Sequence, residues 1–362
     1  MNKVVFQQHF DFLIITHLPA FYKINLYNGI AENRKIHVLF IGSGSTIRLE
    51  DFTSGAINFE YSFLNNGSFE ARNTLKSCFR VLSMLKKFSF DGLIVNGWEL
   101  PEFWLAIFFS RARRGLALES TDLESNIKGV KRTLKKTFLS RLNFALPSGI
   151  PHLRLLKALK FHGDVAITGG VGFTSGTLPL LVTSPRRIYK ALYIGRLSHE
   201  KNLEFLIKVV NLLPDIELSI VGTGPDLKVL QGIAGPNINF YGHIDNSNLN
   251  NVFSVHHFLI LSSISETWGL VVEEALQSFL PVIVSDAVGC SEDLVITLGT
   301  GVVFKSESAD ELNQAIWKMT QRSVYDGFVK NAREINWAQR RQSQITAYES
   351  LGAKSGYTNP SL

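Results

Sequence analysis

Along the chain, short runs of β-branched and aromatic residues alternate with longer stretches in which apolar residues recur every three or four positions. That rhythm predicts βα units wound around parallel sheets. Strands are expected at Phe10 to Ile15, Ile36 to Gly42, Gly92 to Asn96, Leu116 to Glu119 and Val165 to Thr168. A second set is expected at Ala191 to Gly195, Glu217 to Gly222, Asn239 to Gly242, Phe258 to Leu261, Val282 to Ser285 and Val302 to Phe304. Between them, Leu178 to Arg187 carries Pro179 and Pro185 and no amphipathic period, and reads as a linker. Leu203, Leu206, Ile207 and Val210 follow Asn202 with helical spacing, so Asn202 is expected to cap a helix. Ser308 and Glu311 have the spacing of a capping box ahead of Leu312, Ile316 and Met319. No fixed-period repeat is present. The division that follows is residues 1–180 and 188–338. In two sheets with a cleft between them, ligands belong beyond the carboxyl ends of the strands.

Composition narrows this picture only slightly. At 362 residues the chain exceeds what one core serves well, and 45% apolar against 19% charged residues describes a globular protein. The apolar run Phe103 to Phe109 is too short to span a bilayer and reads as a buried helix. Lys3 is the only early cation, and Gln7, Gln8, His9 and Asp11 interrupt any signal-peptide core, so a cytoplasmic chain beginning near Met1 is expected. Cys78 and Cys290 fit neither a disulfide framework nor a metal site, and suit a reducing compartment. Net charge is +6, too mild to imply nucleic acid. The distribution of charge is more informative. Lys128, Lys131, Arg132, Lys135, Lys136 and Arg141 stand in a stretch without an acid, after Arg111, Arg113 and Arg114. With Ile127, Val130, Leu134, Phe138 and Leu142 at helical intervals, residues 127–146 read either as a basic amphipathic helix resting on anionic lipid or as a helix docked on its own domain.

Three segments carry candidate chemistry. GRLSHEKN, 195 to 202, leaves a strand through Gly195 and enters a helix, with Arg196 and Lys201 flanking the turn. Two cations beside a positive helix end suit a diphosphate; two solvated surface cations are the alternative. VGTGP, 221 to 225, offers Gly222 and Gly224 for close backbone approach, but no third glycine completes a dinucleotide fingerprint. In SETWGLVVEEALQSFLPVIVSD, 265 to 286, Glu266 precedes a helix and Glu274 lies within it. Both carboxylates suit sugar or ribose hydroxyls, whereas a helix cap and a solvated face are the plainer readings. Glu273 points about 100° away around that helix.

In that order, with YGHI at 241 to 244 and PVIVSD closing the series, the segments resemble a retaining glycosyltransferase of family 4 with the GT-B fold. The resemblance is strong from Leu192 to Val295 and diffuse before that. It implies an α/β protein of two doubly wound Rossmann-like parallel-sheet domains facing a cleft, the N-terminal one for acceptor and the C-terminal one for donor. It assigns the donor diphosphate to Arg196 and Lys201, the ribose to Glu274, and the donor sugar to Glu266 with the backbone of Thr267, Trp268, Gly269 and Leu270. Glu266, Arg196 and Lys201 are then the catalytic candidates, with Gly195, Gly222 and Gly224 in the donor site. No metal or other cofactor is expected in such enzymes. AREINW, 332 to 337, resembles the family's closing segment, after which a terminal helix, expected over 339–362, returns to the N-terminal domain. HLPAFYKINLYNGIA, 17 to 31, resembles the first loop and helix of bacterial members that extend surface polysaccharides.

The chain departs from the pattern at three places. Phe279 stands where the family usually has glycine, the first loop lacks the usual glycine pair, and the strand that often precedes a cleft histidine ends here in ALESTD, 117 to 122. Glu119 occupies that region, and His17 ends the first strand; both are acceptor-side candidates. The expected activity is transfer of a sugar, with retention and front-face attack, from a nucleoside diphosphate sugar to a lipid-linked or oligosaccharide acceptor. Synthesis of O-antigen, capsule or exopolysaccharide is the expected setting, with peripheral contact at the inner face of the membrane. The alternatives are a nucleotide-sugar-binding scaffold without turnover and a nucleotide-sugar epimerase.

Overall fold

The computed structural model describes residues 8–47, 50–53, 55–122, 128–174 and 188–352. The linker expected at Leu178 to Arg187 lies outside these residues, as do Ile127 and residues 1–7. The chain divides into two units: Met1–Phe173 together with Ala338–Leu362, and Thr174–Trp337.

Unit 1 holds β1 (His9–Thr16), α1 (Phe21–Ala31), β2 (Ile36–Gly44), β3 (Glu60–Ser68), α2 (Thr74–Lys87), β4 (Ser89–Val95), α3 (Pro101–Phe109), β5 (Arg113–Leu118), α4 (Gly129–Leu139), β6 (Phe144–Pro147), α5 (Ile150–Ala158) and β7 (Asp164–Val165). Its seven strands pair in parallel in the order β3-β2-β1-β4-β5-β6-β7. The reversal of strand order beside β1 is the doubly wound pattern. The central strands are buried on both faces, which explains their unbroken apolar runs, such as Leu13, Ile14 and Ile15. One face carries Val81 of α2, Phe103 and Ile107 of α3, and Phe138 and Leu139 of α4. The other carries Leu26, Tyr27 and Ile30 of α1, together with Ile345 and Tyr348 from the last helix.

Unit 2 holds β8 (Tyr189–Ile194), α6 (Leu203–Val210), β9 (Ile216–Val221), α7 (Leu227–Ile233), β10 (Ile238–Gly242), α8 (Leu249–Ser254), β11 (Phe258–Leu261), α9 (Leu270–Gln277), β12 (Val282–Ser285), β13 (Gly301–Phe304), α10 (Ala309–Thr320) and α11 (Arg322–Glu334). Helix α12 (Trp337–Gly352) starts at its border and runs in unit 1. Six parallel strands lie in the order β10-β9-β8-β11-β12-β13.

Four expectations change. Asn202 adopts a left-handed backbone, φ 54°, and its side chain caps nothing, because a 3-10 turn over His199–Lys201 already closes on it. The capping box is half made: Ser308 Oγ accepts from Glu311 N at 3.4 Å, but the Glu311 carboxylate accepts from Lys305 N instead. The run Phe103 to Phe109 is helical, yet only its inner residues are buried, and Phe108 and Phe109 face outward. In α4, Phe138 is buried while Val130 and Leu134 are exposed, so the basic segment anchors by its carboxyl end rather than along one apolar seam. No described helix is long and apolar enough to cross a membrane.

Candidate active site

In unit 2 the chain leaves β8 at Gly195 and turns through Arg196–Asn202 into α6. Two neighbouring loops hold this turn. From β9, Thr223 O accepts from Leu197 N at 2.9 Å, and from the loop after β11, Ile264 N donates to Glu200 O at 2.9 Å. Buried Ser262 adds its hydroxyl, which donates to Lys201 O at 3.0 Å and Asn202 O at 3.3 Å. Gly222 and Gly224 are glycines for a steric reason. A Cβ on Gly222 would overlap the carbonyl oxygen of Gly195, and one on Gly224 the carbonyl oxygen of Leu197. These glycines therefore pack two βα turns against each other at the carboxyl edge of the sheet.

On that frame Lys201 Nζ pairs with Glu266 Oε2, both side chains being mostly buried. Sixty-five residues apart in sequence, they meet because β8 and β11 are sheet neighbours. Arg196 is held locally: Nη2 donates to Glu200 Oε1 at 2.7 Å and Nε to Ser198 Oγ at 3.2 Å. Burial works against the Glu200 charge, but hydrogen bonds from Ser198 and Arg196 win and bring its pKa down to about 2. Both cations expected at the diphosphate thus stand beside an acid in the free protein.

After Glu266 the chain makes a tight turn. Gly289 N donates to Glu266 O at 2.9 Å and Cys290 N to Trp268 O at 3.0 Å. Gly269 then adopts φ 96° as the residue before α9, a conformation that glycine alone takes without strain. Thr267 is exposed and Leu270 partly so, whereas the Trp268 ring is fully buried and its Nε1 donates to Glu273 Oε1 at 2.6 Å. The Trp268 side chain is therefore a packing group, and Glu273 is committed to it. Glu274 faces the opposite side, partly buried in a small cavity of about 30 Å³ with Thr174, Asn250, Phe253 and Gln277. Burial, with the Glu273 charge adding, raises its pKa to about 8, so it is mostly protonated at neutral pH. It does not touch the Lys201–Glu266 pair.

The acceptor-side candidates come together in unit 1. His17 and Glu119 line one cavity of about 180 Å³ at the carboxyl ends of β1, β4 and β5, with Thr16, Tyr22, Lys23 and Asn96. His17 Nε2 donates to Glu99 Oε1 at 2.6 Å, and Lys23 pairs with Glu119. Burial opposes ionisation of Glu99, but the hydrogen bond and charge of His17 bring its pKa down. Sequence reasoning missed Glu200, Glu99, Lys23 and Ser262. Only Glu200 left a signal, its i, i+4 spacing from Arg196.

Residues 184–335 match the family model described as Glycosyl transferases group 1. The O-antigen biosynthesis glycosyltransferase WbnH of Escherichia coli is 34% identical over 126 residues, which is 34% of this chain and 35% of that protein, so the match spans about a third of that relative's length. Among solved structures, the lipopolysaccharide outer core galactosyltransferase WaaB in its apo form aligns with a TM-score of 0.71 at 14% identity, over 94% of this chain and 99% of that one. HepE from Anabaena, solved in complex with UDP, aligns at 0.68 and 14% identity, over 94% and 99%. At such identities the structural likeness establishes the fold, GT-B, and nothing finer. The Glycosyl transferases group 1 match thus falls within the residues of unit 2 and covers less than half of the chain.

Proposed function

We propose that the protein is a retaining glycosyltransferase that moves a sugar from a nucleoside diphosphate sugar to an acceptor hydroxyl, in synthesis of a bacterial surface polysaccharide. The observation that carries this reading is the meeting of Lys201 and Glu266, with Arg196 on the same turn, inside the matched domain. Departure of a diphosphate builds negative charge on oxygen while the anomeric carbon turns positive. Fixed cations on one side and a carboxylate on the other favour that state over the bound donor. Arg196 and Lys201 exchange part of their bonding from Glu200 and Glu266 to the diphosphate. Glu266, released from Lys201, turns to the sugar beside the Thr267–Leu270 backbone. Glu274 accepts from the ribose diol once ionised, so nucleotide binding at neutral pH releases a proton. The Arg196–Lys201 pair supplies the positive charge without a metal. The named functions of WbnH and the UDP complex of HepE support the acceptor setting and the donor class respectively.

The cavity around His17 and Glu119 is the proposed acceptor pocket. Its size suits one sugar ring, Tyr22 offers an aromatic wall, and its charges are largely paired. Helix α4, with exposed Val130 and Leu134 among Lys131, Arg132, Lys135 and Lys136, is the proposed contact to the inner face of the membrane. The test is a panel of nucleoside diphosphate sugars, with and without lipid-linked acceptors, scored by nucleoside diphosphate release. Acceptor-dependent release from one donor, abolished by Glu274→Ala and by Lys201→Ala, is expected. Donor binding without release from any member of the panel would overturn the reading in favour of a scaffold, and an altered donor without acceptor in favour of an epimerase.

A further inference from the structure

We infer that the groove between α2 and edge strand β3 binds the acidic part of a saccharide acceptor, holding a carboxylate on Lys76 and Arg80 while the reacting end of the same saccharide lies in the His17 pocket. This assignment rests on the proposed reading of that pocket as the acceptor site. The groove is a cavity of about 550 Å³, against about 180 Å³ for the pocket, and so has room for a short run of sugar rings. Asn65, Asn66, Asn73, Ser68 and Ser83 line it with amides and hydroxyls, which both donate and accept as sugar hydroxyls do. Phe63 and Met84, both partly buried, offer apolar contact to the faces of the rings.

Among the described residues the lining holds three cations, Arg72, Lys76 and Arg80, and no acid. Arg80 is fixed in place. Its Nη1 donates to Leu64 O at 2.5 Å and to Asn65 Oδ1 at 3.1 Å, and buried Asn65 is itself tied by donating to Ile41 O at 2.8 Å and Ser77 Oγ at 3.0 Å. That leaves the Nε–Nη2 edge of the guanidinium, which takes a carboxylate with two parallel hydrogen bonds. Lys76 lies one turn earlier on α2 and has no carboxylate partner among the described residues. Two acids flank the groove, and both are already engaged. Glu102 is buried and accepts from Arg72, Nε to Oε1, at 2.8 Å. Glu70 lies past Ser68 and accepts from Ser68 Oγ at 2.5 Å, Ser45 Oγ at 2.5 Å and Thr46 N at 2.9 Å. Three cations against two acids leave one net positive charge, which matches a singly charged group on a sugar better than a polyanion such as nucleic acid.

The groove and the pocket share the carboxyl edge of the first sheet, since Asn65, Asn66 and Ser68 end β3 as His17 follows β1. Phe69 joins them. Its ring meets the His17 ring edge-on with centroids 5.5 Å apart, and the Arg72 guanidinium lies over the same ring at 4.0 Å. One aromatic side chain therefore touches a residue of the pocket and a residue of the groove, so a single saccharide can occupy both.

The test is calorimetry of the full chain, without donor, against a panel of tetrasaccharides that carry either a uronate carboxylate or a phosphodiester, each beside a neutral counterpart of the same length. Uronate members should bind roughly tenfold more tightly than their counterparts, and salt should reduce the difference. Lys76→Ala and Arg80→Ala should each remove roughly that factor, and Arg80→Lys should recover only part of it because lysine lacks the fork. Melting of the variants at the wild-type temperature separates a lost site from a lost fold. Equal affinity for acidic and neutral forms, binding by no member of the panel, or binding that neither alanine variant changes would overturn the groove. Preference for the phosphodiester members would overturn the carboxylate assignment. Because the donor is absent, the two readings fail separately: acid binding lost in both variants, with no turnover of any donor, would keep the groove and sink the transferase, whereas turnover on neutral acceptors with no advantage for acidic ones would keep the transferase and sink the groove.

Discussion

At Phe279 the backbone takes φ 57°, the left-handed region that costs a residue with a β-carbon roughly 1–2 kcal/mol. The glycine usual here in the family that the sequence resembles thus has a local reason: the chain must turn between α9 and β12 before Leu280 and Pro281. Phe279→Gly and Phe279→Ala both remove the ring, but only glycine relieves the turn. The glycine variant should be the more stable of the two by about 1 kcal/mol in urea unfolding; equal stabilities would show that the turn adapts. Glu274 makes a second prediction at this scale. Its pKa rises from 4.5 to about 8 on folding, so the native state holds a proton that the unfolded chain has released. Its contribution to stability is intact below the unfolded value and is lost as pH climbs to about 8. Against Glu274→Gln, the wild type should lose unfolding free energy between pH 5 and pH 8; parallel pH profiles would contradict the partly buried, protonated carboxyl. Candidate residues were legible in the sequence where a charged or imidazole side chain follows a strand end, as at Arg196, Lys201, Glu266 and His17. Partners were not. Nothing in the sequence links Glu99 to His17 or Ser262 to the Lys201 carbonyl, because those contacts depend on strand order.

Elements that follow strands carry the Lys201–Glu266 site, and they hold one another by backbone contacts. The turn after β8 is pinned by the loops after β9 and β11, and the glycines are the points of closest approach. Gly222→Ala should therefore push the β8 turn outward, lowering stability by roughly 1–3 kcal/mol and weakening nucleotide binding in calorimetry, although residue 222 need not touch the ligand. Full binding in that variant would mean the turn shifts freely. The strands flanking this turn were readable from apolar runs, and so were most of their neighbours. β3 and β6 were not. β3, EYSFLNNGS, is an edge strand with polar residues outward, and β6, FALP, is four residues ending in proline behind a basic helix. Both are strands because a neighbour pairs with them, information that local periodicity does not hold. Likewise the period around α4 was visible, but not that Val130 and Leu134 stand clear of the core.

For the whole molecule, the two α/β sets predicted two sheets, and the described residues form two sheets. Several of their crossover helices could be read in sequence, but which face each covers could not. Helix α12 shows why this matters. Ile345, Ala347 and Tyr348 are buried in the same cluster as Leu26, Tyr27 and Ile30, so unit 1 is completed by residues from beyond unit 2. A chain ending at Trp337 loses three core side chains, each worth roughly 2–5 kcal/mol when large, against a typical domain stability of about 5–15 kcal/mol. Calorimetry of that truncation should show unit 2 melting cooperatively and unit 1 without a cooperative transition; two intact transitions would show that α12 is dispensable. The same threading sets an order of events during synthesis. On the ribosome, unit 2 has its full sequence in hand as soon as Trp337 emerges, while the earlier-made seven-stranded sheet still waits, with one apolar face incompletely covered, for the final helix to be translated. The usual rule that the first domain made is the first finished is reversed, and the interval before α12 arrives is when a holding chaperone has most to protect.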